Sequence, residues 1–185
     1  MTEFFDVFDE NGTSTGEIRS REDCHRLGLW HRTVHIWVLR EDGMLLFQKR
    51  HPDKDTHPGY WDVSAAGHIS AGQSVLEAAQ RELEEELGLT LAQEDFQHLF
   101  TLRYRSTDPV TGVLDHEFQE VFLVRGQWEL HDFRAQPEEV TGLCWEPLDS
   151  LRDWRNAPML LVDHDDEYQK LHTLLSNKSN GHITL

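Results

Sequence analysis

Glu82, Glu85 and Glu86 stand at i, i+3 and i+4 in the run VLEAAQRELEEEL. On a helix of about 3.6 residues per turn, that spacing gathers their carboxylates on one face. Two like charges ~4 Å apart repel by about 1 kcal/mol in water and about 4 kcal/mol at an effective dielectric of 20. A hard divalent cation relieves that repulsion, because magnesium and its relatives take oxygen ligands. Arg81 adjoins the trio and is placed to orient it through an ion pair. Glu77 and Glu84 point away from this face and read as solvated positions.

The acids need a helix held against a core. Leu76, Ala79, Leu83 and Leu87 supply the apolar stripe that would hold it. Ser74 and Glu77 have the spacing of a capping box, and Gly88 suits the left-handed residue that ends a helix. A glycine-bearing loop beginning at Gly67 leads directly into this helix.

Residues 67–89, GHISAGQSVLEAAQRELEEELGL, resemble the Nudix box, G-x5-E-x7-R-E-U-x-E-E-x-G-U with U aliphatic. Gly67, Arg81, Glu82, Leu83, Glu85, Glu86, Gly88 and Leu89 fill its positions, and Gln73 replaces its first glutamate. The resemblance implies an α+β fold, an α/β/α sandwich with a mixed β-sheet between helices. It also implies a Nudix pyrophosphohydrolase that uses Mg2+ or Mn2+ to cleave a diphosphate linkage. Glu82 and Glu86 would be metal ligands, Glu85 a ligand or general base, and Arg81 the group that orients them. With Gln73 in place of a carboxylate, the expectation is fewer or weaker bound ions. Glu120 would add a ligand or base only across a bulge, since strand parity sets it opposite Asp115 and Glu117.

A longer stretch, from about residue 4 to residue 120, resembles the isopentenyl-diphosphate isomerases of the same superfamily. His25 and His31 bracket RLGLW, His68 follows WDVSAAG, and DHEF supplies Asp115 and Glu117. The two acids, at i and i+2 on a strand, share a face. The resemblance implies that these five residues bind a divalent ion. Imidazole nitrogen with carboxylate oxygen suits Mn2+ or Zn2+, and this would be a second divalent site. At ordinary pKa values, the histidines would release an ion as pH falls through ~6.5, while glutamates would hold theirs to about 4.3.

Arg21, Arg50 and Lys54 match isomerase positions that hold the diphosphate, where charge-assisted hydrogen bonds to phosphate are strong. Ala66 stands where the isomerases carry an essential cysteine, and a methyl group can neither donate nor remove a proton. Glu82 and Glu85, largely lost in the isomerases, are retained. The resulting expectation is hydrolysis of a nucleoside diphosphate derivative or another organic diphosphate. The alternatives are isopentenyl-diphosphate delta-isomerase activity with other acid and base groups, or a non-catalytic diphosphate-binding module.

The 185 residues read as one domain, 1–185, large enough to bury a core. Acids outnumber bases 34 to 17, which argues against a nucleic-acid polymer or an anionic membrane as partner. Two cysteines form neither a disulfide framework nor a zinc-ligand spacing. With no signal-peptide pattern and no apolar run of about 18 residues, a soluble cytoplasmic protein is expected. The pattern carries no signal of assembly.

Residues 1–30 read as a hairpin extension turning at Asn11-Gly12, followed by strands in TVHIWVLR and MLLFQKR and a short one around WDVSA. Beyond the box helix, DFQHLFTLRYR and DHEFQEVFLV form an antiparallel pair around DPVTG. A late strand near 142–146, a helix near 165–175 and a frayed tail over 176–185 complete the reading. Trp30, Trp37, Tyr60 and Trp61 could stack on a base or line a prenyl pocket, or belong to the core.

Overall fold

The computed structural model describes residues 2–54, 56–157, 159 and 161–179. Strand β3 (His31–Arg40) is buried except at Arg32 and Arg40, so it needs cover on both faces. Val34, Ile36 and Val38 face one core with Ala79, Leu83 and Leu87 of helix α2 (Val75–Leu87). Trp37 and Leu39 face a second core with Tyr168, Leu171 and Leu175 of helix α3 (Asp165–Ser179). A strand buried on both faces occupies the middle of a layered structure. The expected mixed sheet between helices is therefore present.

Strand β8 (Leu114–Gly126) runs parallel to β3 along its full length, from His31↔Glu117 to Arg40↔Gly126. Strand β7 (Gln97–Thr107) pairs antiparallel with β8. The other side of β3 is divided. Strand β4 (Met44–Arg50) meets it at Leu39↔Leu45, whereas β6 (Ala65–His68) pairs with it from Thr33↔His68 to Ile36↔Ala65. Strand β4 continues outward to β5 (Trp61–Asp62) and β9 (Val140–Pro147). The sheet therefore parts between β4 and β6. Ser64, just before β6, links β3 to β4 where they part: its Oγ accepts from the Val38 amide at 2.9 Å and donates to the Leu46 carbonyl at 2.6 Å.

The structure corrects three local expectations. The hairpin of β1 (Phe4–Phe8) and β2 (Ser14–Ser20) does not extend over 1–30, because helix α1 (Arg21–Leu27) follows it. Caps rather than periodicity carry this short helix. Ser20 accepts from the Asp23 amide, Gly28 closes it at φ 63°, and Cys24 is its buried residue. The strand expected around WDVSA is split into β5 and β6, whose partners β4 and β3 have already diverged. Helix α3 runs through 176–179, read above as tail, because buried Leu171 and Leu175 anchor its preceding turns. Residues 180–185 lie outside the described residues. No helix among the described residues is long and apolar enough to cross a membrane.

Replacing Ser64 with Ala strands a buried amide and a buried carbonyl, and should cost about 2–4 kcal/mol. Urea unfolding measures it. A loss below about 0.5 kcal/mol would mean that other groups close the gap.

Candidate active site

A cavity of about 720 Å³ opens where β4 and β6 separate. Packing of Leu83 and Leu87 on the sheet turns Glu82 and Glu86 toward β6, while Glu85 stays exposed at the mouth. Glu86 Oε2 accepts from the Ala66 amide at 3.0 Å and from Gln48 Nε2 at 2.9 Å. Arg81 joins the other two acids, with Nη2 2.8 Å from Glu82 Oε1 and Nη1 donating to Glu85 Oε2 at 3.0 Å. Its Nη2 also donates to the His68 carbonyl at 2.9 Å, tying the helix to β6. Gly67 leaves the space Glu82 occupies: a Cβ there would lie 2.1 Å from Glu82 Cδ.

The histidine constellation forms beside these acids. Ligand atoms of His25, His31, His68 and Glu117 lie within 4.8 Å of one another. His68 Nε2 is 3.3 Å from His25 Nε2, and Glu117 Oε1 is 3.8 Å from both His31 Nε2 and His68 Nε2. Asp115 Oδ1 stands 3.6 Å from His25 Nε2. Ligands at about 2.1 Å around a tetrahedral ion stand about 3.4 Å apart, so this donor set fits a divalent cation. His31 adds an independent sign, since its buried Nε2 has no hydrogen-bond partner. Its Nδ1 faces the Leu29 carbonyl at 2.9 Å, which sets the tautomer that leaves Nε2 as a ligand. Phe5 stacks on His31 and His68, with ring centroids 5.2 and 4.7 Å away.

Burial reverses the acid–base order expected from ordinary pKa values. It pushes the Glu82 carboxyl up to about 8, against the pull of Arg81. Burial raises Glu86 to about 6 despite its hydrogen bonds, and burial with neighbouring Glu117 raises Asp115 to about 7. Burial and neighbouring His31 lower His25 to about 4, and the same causes hold His68 well below its usual value. Glu82, Glu86 and Asp115 thus protonate first as pH falls, while His25 and His68 remain neutral donors. Neutral imidazoles beside acids that resist ionisation are groups a cation would satisfy.

Arg21, Arg50 and Lys54 all line the cavity, but each has partners. Arg21 donates to Glu3 at 2.9 Å, Lys54 pairs with Glu139, and Arg50 donates to Asp62 at 3.0 Å and to Thr56. Glu120 points away from the cavity and accepts from Thr101 at 2.7 Å, with His98 Nε2 2.9 Å away, so no bulge turns it inward. Gln73 also lies outside, where its Oε1 accepts from the Ser70 amide at 3.2 Å, so its replacement of glutamate removes no carboxylate from the cavity wall. Trp37 is core, and Trp30 and Tyr60 do not line the cavity, nor does Trp61. The aromatic there is Tyr104, paired with Glu117 across β7 and β8. Register alone could have revealed it. His35, Asp62, Gln119 and His164 also line the cavity without a sequence signal that marked them.

The NUDIX domain family model matches residues 29–168. Nudix hydrolase 3 of Arabidopsis thaliana is 37% identical over 182 residues, 95% of this chain, although the chain spans only 24% of that protein. An isopentenyl-diphosphate Delta-isomerase of Streptomyces coelicolor is 34% identical over 143 residues, covering 76% of this chain and 68% of the isomerase. A crystal structure from Deinococcus radiodurans shares the fold with a TM-score of 0.71 at 22% identity, covering 91% of this chain and 99% of that one.

Gly67→Ala should displace the Glu82 carboxylate and weaken Mg2+ or Mn2+ binding at least about tenfold, with ~1–3 kcal/mol of overpacking cost. Calorimetric titration with thermal melting separates the effects, and unchanged metal affinity would remove Glu82 from the site.

Stability should also respond to pH. The folded state holds protons on Glu82 and Asp115 that the unfolded chain has released, so stability falls as pH rises through about 7 to 8. The raised His35, near 9, contributes fully below its unfolded value of about 6.5 and progressively less above it. The lowered His25 and His68 give little slope above that value, where both states are neutral. Metal-free protein should therefore melt at lower temperature between about pH 6.5 and 8.5, and saturating Mn2+ should reverse the trend. A flat or rising metal-free melting curve would contradict this.

Proposed function

The chain belongs to the Nudix family, and on that premise we propose that it is a metal-dependent hydrolase of a diphosphate linkage in a nucleoside diphosphate derivative or another organic diphosphate. The observation that carries this reading is Glu82, Glu85 and Glu86 gathered on the wall of one cavity, with Gly67 leaving room for Glu82. Glu82 and Glu86, with Glu85, would hold Mg2+ or Mn2+. His25, His31, His68, Asp115 and Glu117 would hold a second ion, Mn2+ or Zn2+. Such ions, when bound, neutralise phosphate oxygens and lower the pKa of an attacking water.

The protein's own groups orient the reaction. Arg81 fixes Glu82 and Glu85 relative to β6 through three contacts. Glu85 is the exposed acid at the mouth and is the group suited to accept a proton from water. Arg21, Arg50 and Lys54 form the basic side of the same cavity and would face the diphosphate. A formal charge of −17 suits a small-molecule substrate rather than a nucleic-acid polymer. A reducing cytoplasmic compartment suits Cys24 and Cys144, both free.

The isomerase relative and the histidine constellation favour a second reading, isopentenyl-diphosphate isomerisation. Ala66 opposes it, because its side chain offers no proton.

A panel of organic diphosphates with Mg2+ and Mn2+, scored for phosphate or pyrophosphate release, tests both readings. Release from at least one substrate is expected, without efficient interconversion of isopentenyl and dimethylallyl diphosphate. Glu85→Gln or Glu86→Gln should each reduce hydrolysis about a thousandfold, ~4 kcal/mol of transition-state stabilisation, in folded protein. Near-normal turnover in both variants, or efficient interconversion by the wild type, would overturn the assignment.

A further inference from the structure

The cavity floor carries a polar group that the acids and the histidine constellation leave unused. Alternation on β3 sets His31, Thr33 and His35 on one face, with successive members roughly 7 Å apart. His31 belongs to the histidine constellation, and Thr33 Oγ1 donates to Glu117 Oε2 at 3.3 Å. His35 lines the cavity further along, and its Nδ1 lies 2.7 Å from Glu167 Oε2. Glu167 is 1% exposed, and its other oxygen accepts from Trp37 Nε1 at 2.7 Å.

The His35–Glu167 separation is that of a hydrogen bond. Two ligands of one tetrahedral ion would stand about 3.3 Å apart at 2.0–2.1 Å bonds. His164, the other histidine in this buried group, has its Nε2 3.0 Å from Asp62 Oδ1. A proton between His35 and Glu167 accounts for the pair, and the buried carboxylate favours the cationic ring. Burial opposes that charge, but Glu167 more than offsets it and lifts His35 to about 9.

With Nδ1 facing Glu167, Nε2 is the nitrogen left for the cavity. It has no hydrogen-bond partner among the described residues and, unlike His31 Nε2, is not fully enclosed. Across the ladder, His35 faces Ala66, and the ring of His164 packs edge-on against it with centroids 5.0 Å apart. The Ala66 amide donates to Glu86 Oε2, so His35 adjoins the strand segment that holds the acid trio. The other basic groups considered for the diphosphate, Arg21, Arg50 and Lys54, already have acidic partners.

We propose that His35 is a substrate-contact residue whose Nε2–H donates a charge-assisted hydrogen bond to a non-bridging phosphate oxygen, with Glu167 as the positioning residue that fixes the ring. The proposal rests on the diphosphate reading above. It also explains why helix α3, packed on the face of β3 that carries His35, sends a buried acid to this strand.

The test uses methylenediphosphonate with Mg2+, a probe that cannot be hydrolysed at its bridge, in calorimetric titrations with metal content measured alongside. His35→Gln should weaken its binding about tenfold or more, 1.4 kcal/mol per tenfold, at unchanged metal content. Glu167→Gln should weaken it by a smaller factor. Equal affinity in His35→Gln and wild type would overturn the proposal. Loss of one metal equivalent in both variants would also overturn it, by making the pair a metal site. If the wild type binds no methylenediphosphonate, the diphosphate reading fails together with this one. Histidine imidazole NMR of the wild type needs no variant: a cationic His35 whose Nε2–H signal shifts on adding the probe is expected, and a neutral or unshifted ring would refute it.

Discussion

Each backbone position of β3 can bond one neighbour per side, and on one side that neighbour changes along the strand. Strand β4 holds the end of β3 at Leu39, while β6 takes the stretch from Thr33 to Ile36. The two cannot share β3, so they diverge and leave a cavity between them. The acids of α2, the histidines of α1, β3 and β6, and the acids of β8 all meet where this opening forms. Ser64 makes the parting of β3 from β4 tolerable by satisfying one backbone group of each.

The cavity that results is crowded with acids removed from water. Burial costs each carboxylate its hydration, and neighbouring acids add repulsion, so Glu82 and Asp115 hold their protons well above the ordinary carboxylate range. The surrounding groups limit that cost without cancelling it. Arg81 bridges Glu82 and Glu85, and the Ala66 amide and Gln48 hold Glu86. What remains uncompensated is charge repulsion that a bound cation would relieve. Glu167 contrasts with this. Its carboxyl is held low despite burial, because His35 and Trp37 satisfy it.

The departures from family patterns acquire distinct meanings once they are placed. Gln73 supports the loop before α2 from outside the cavity, so it leaves the acid set intact. Ala66 stands inside, beside Glu86 and opposite His35, where a methyl adds no chemistry. Gly67 is retained for a steric reason, since any side chain there would enter the position of Glu82.

Local periodicity made α2 legible from the amino-acid sequence. The spacing of Leu83, Leu87 and the three glutamates, with Ser74, Glu77 and Gly88 at the ends, specifies a capped amphipathic helix without reference to the rest of the chain. The shared face of Asp115 and Glu117, and the exclusion of Glu120 from it, likewise follow from strand parity. Helix α1 was not legible, because seven residues with one buried side chain carry no repeat. Tyr104, His35 and Glu167 were equally hidden, since their roles depend on register and on contacts spanning up to 132 positions. Tertiary structure also decided the ionisation order. The pKa of Glu82 or His68 is set by which charges surround it and how much water is excluded, and neither is a property of its neighbours in sequence.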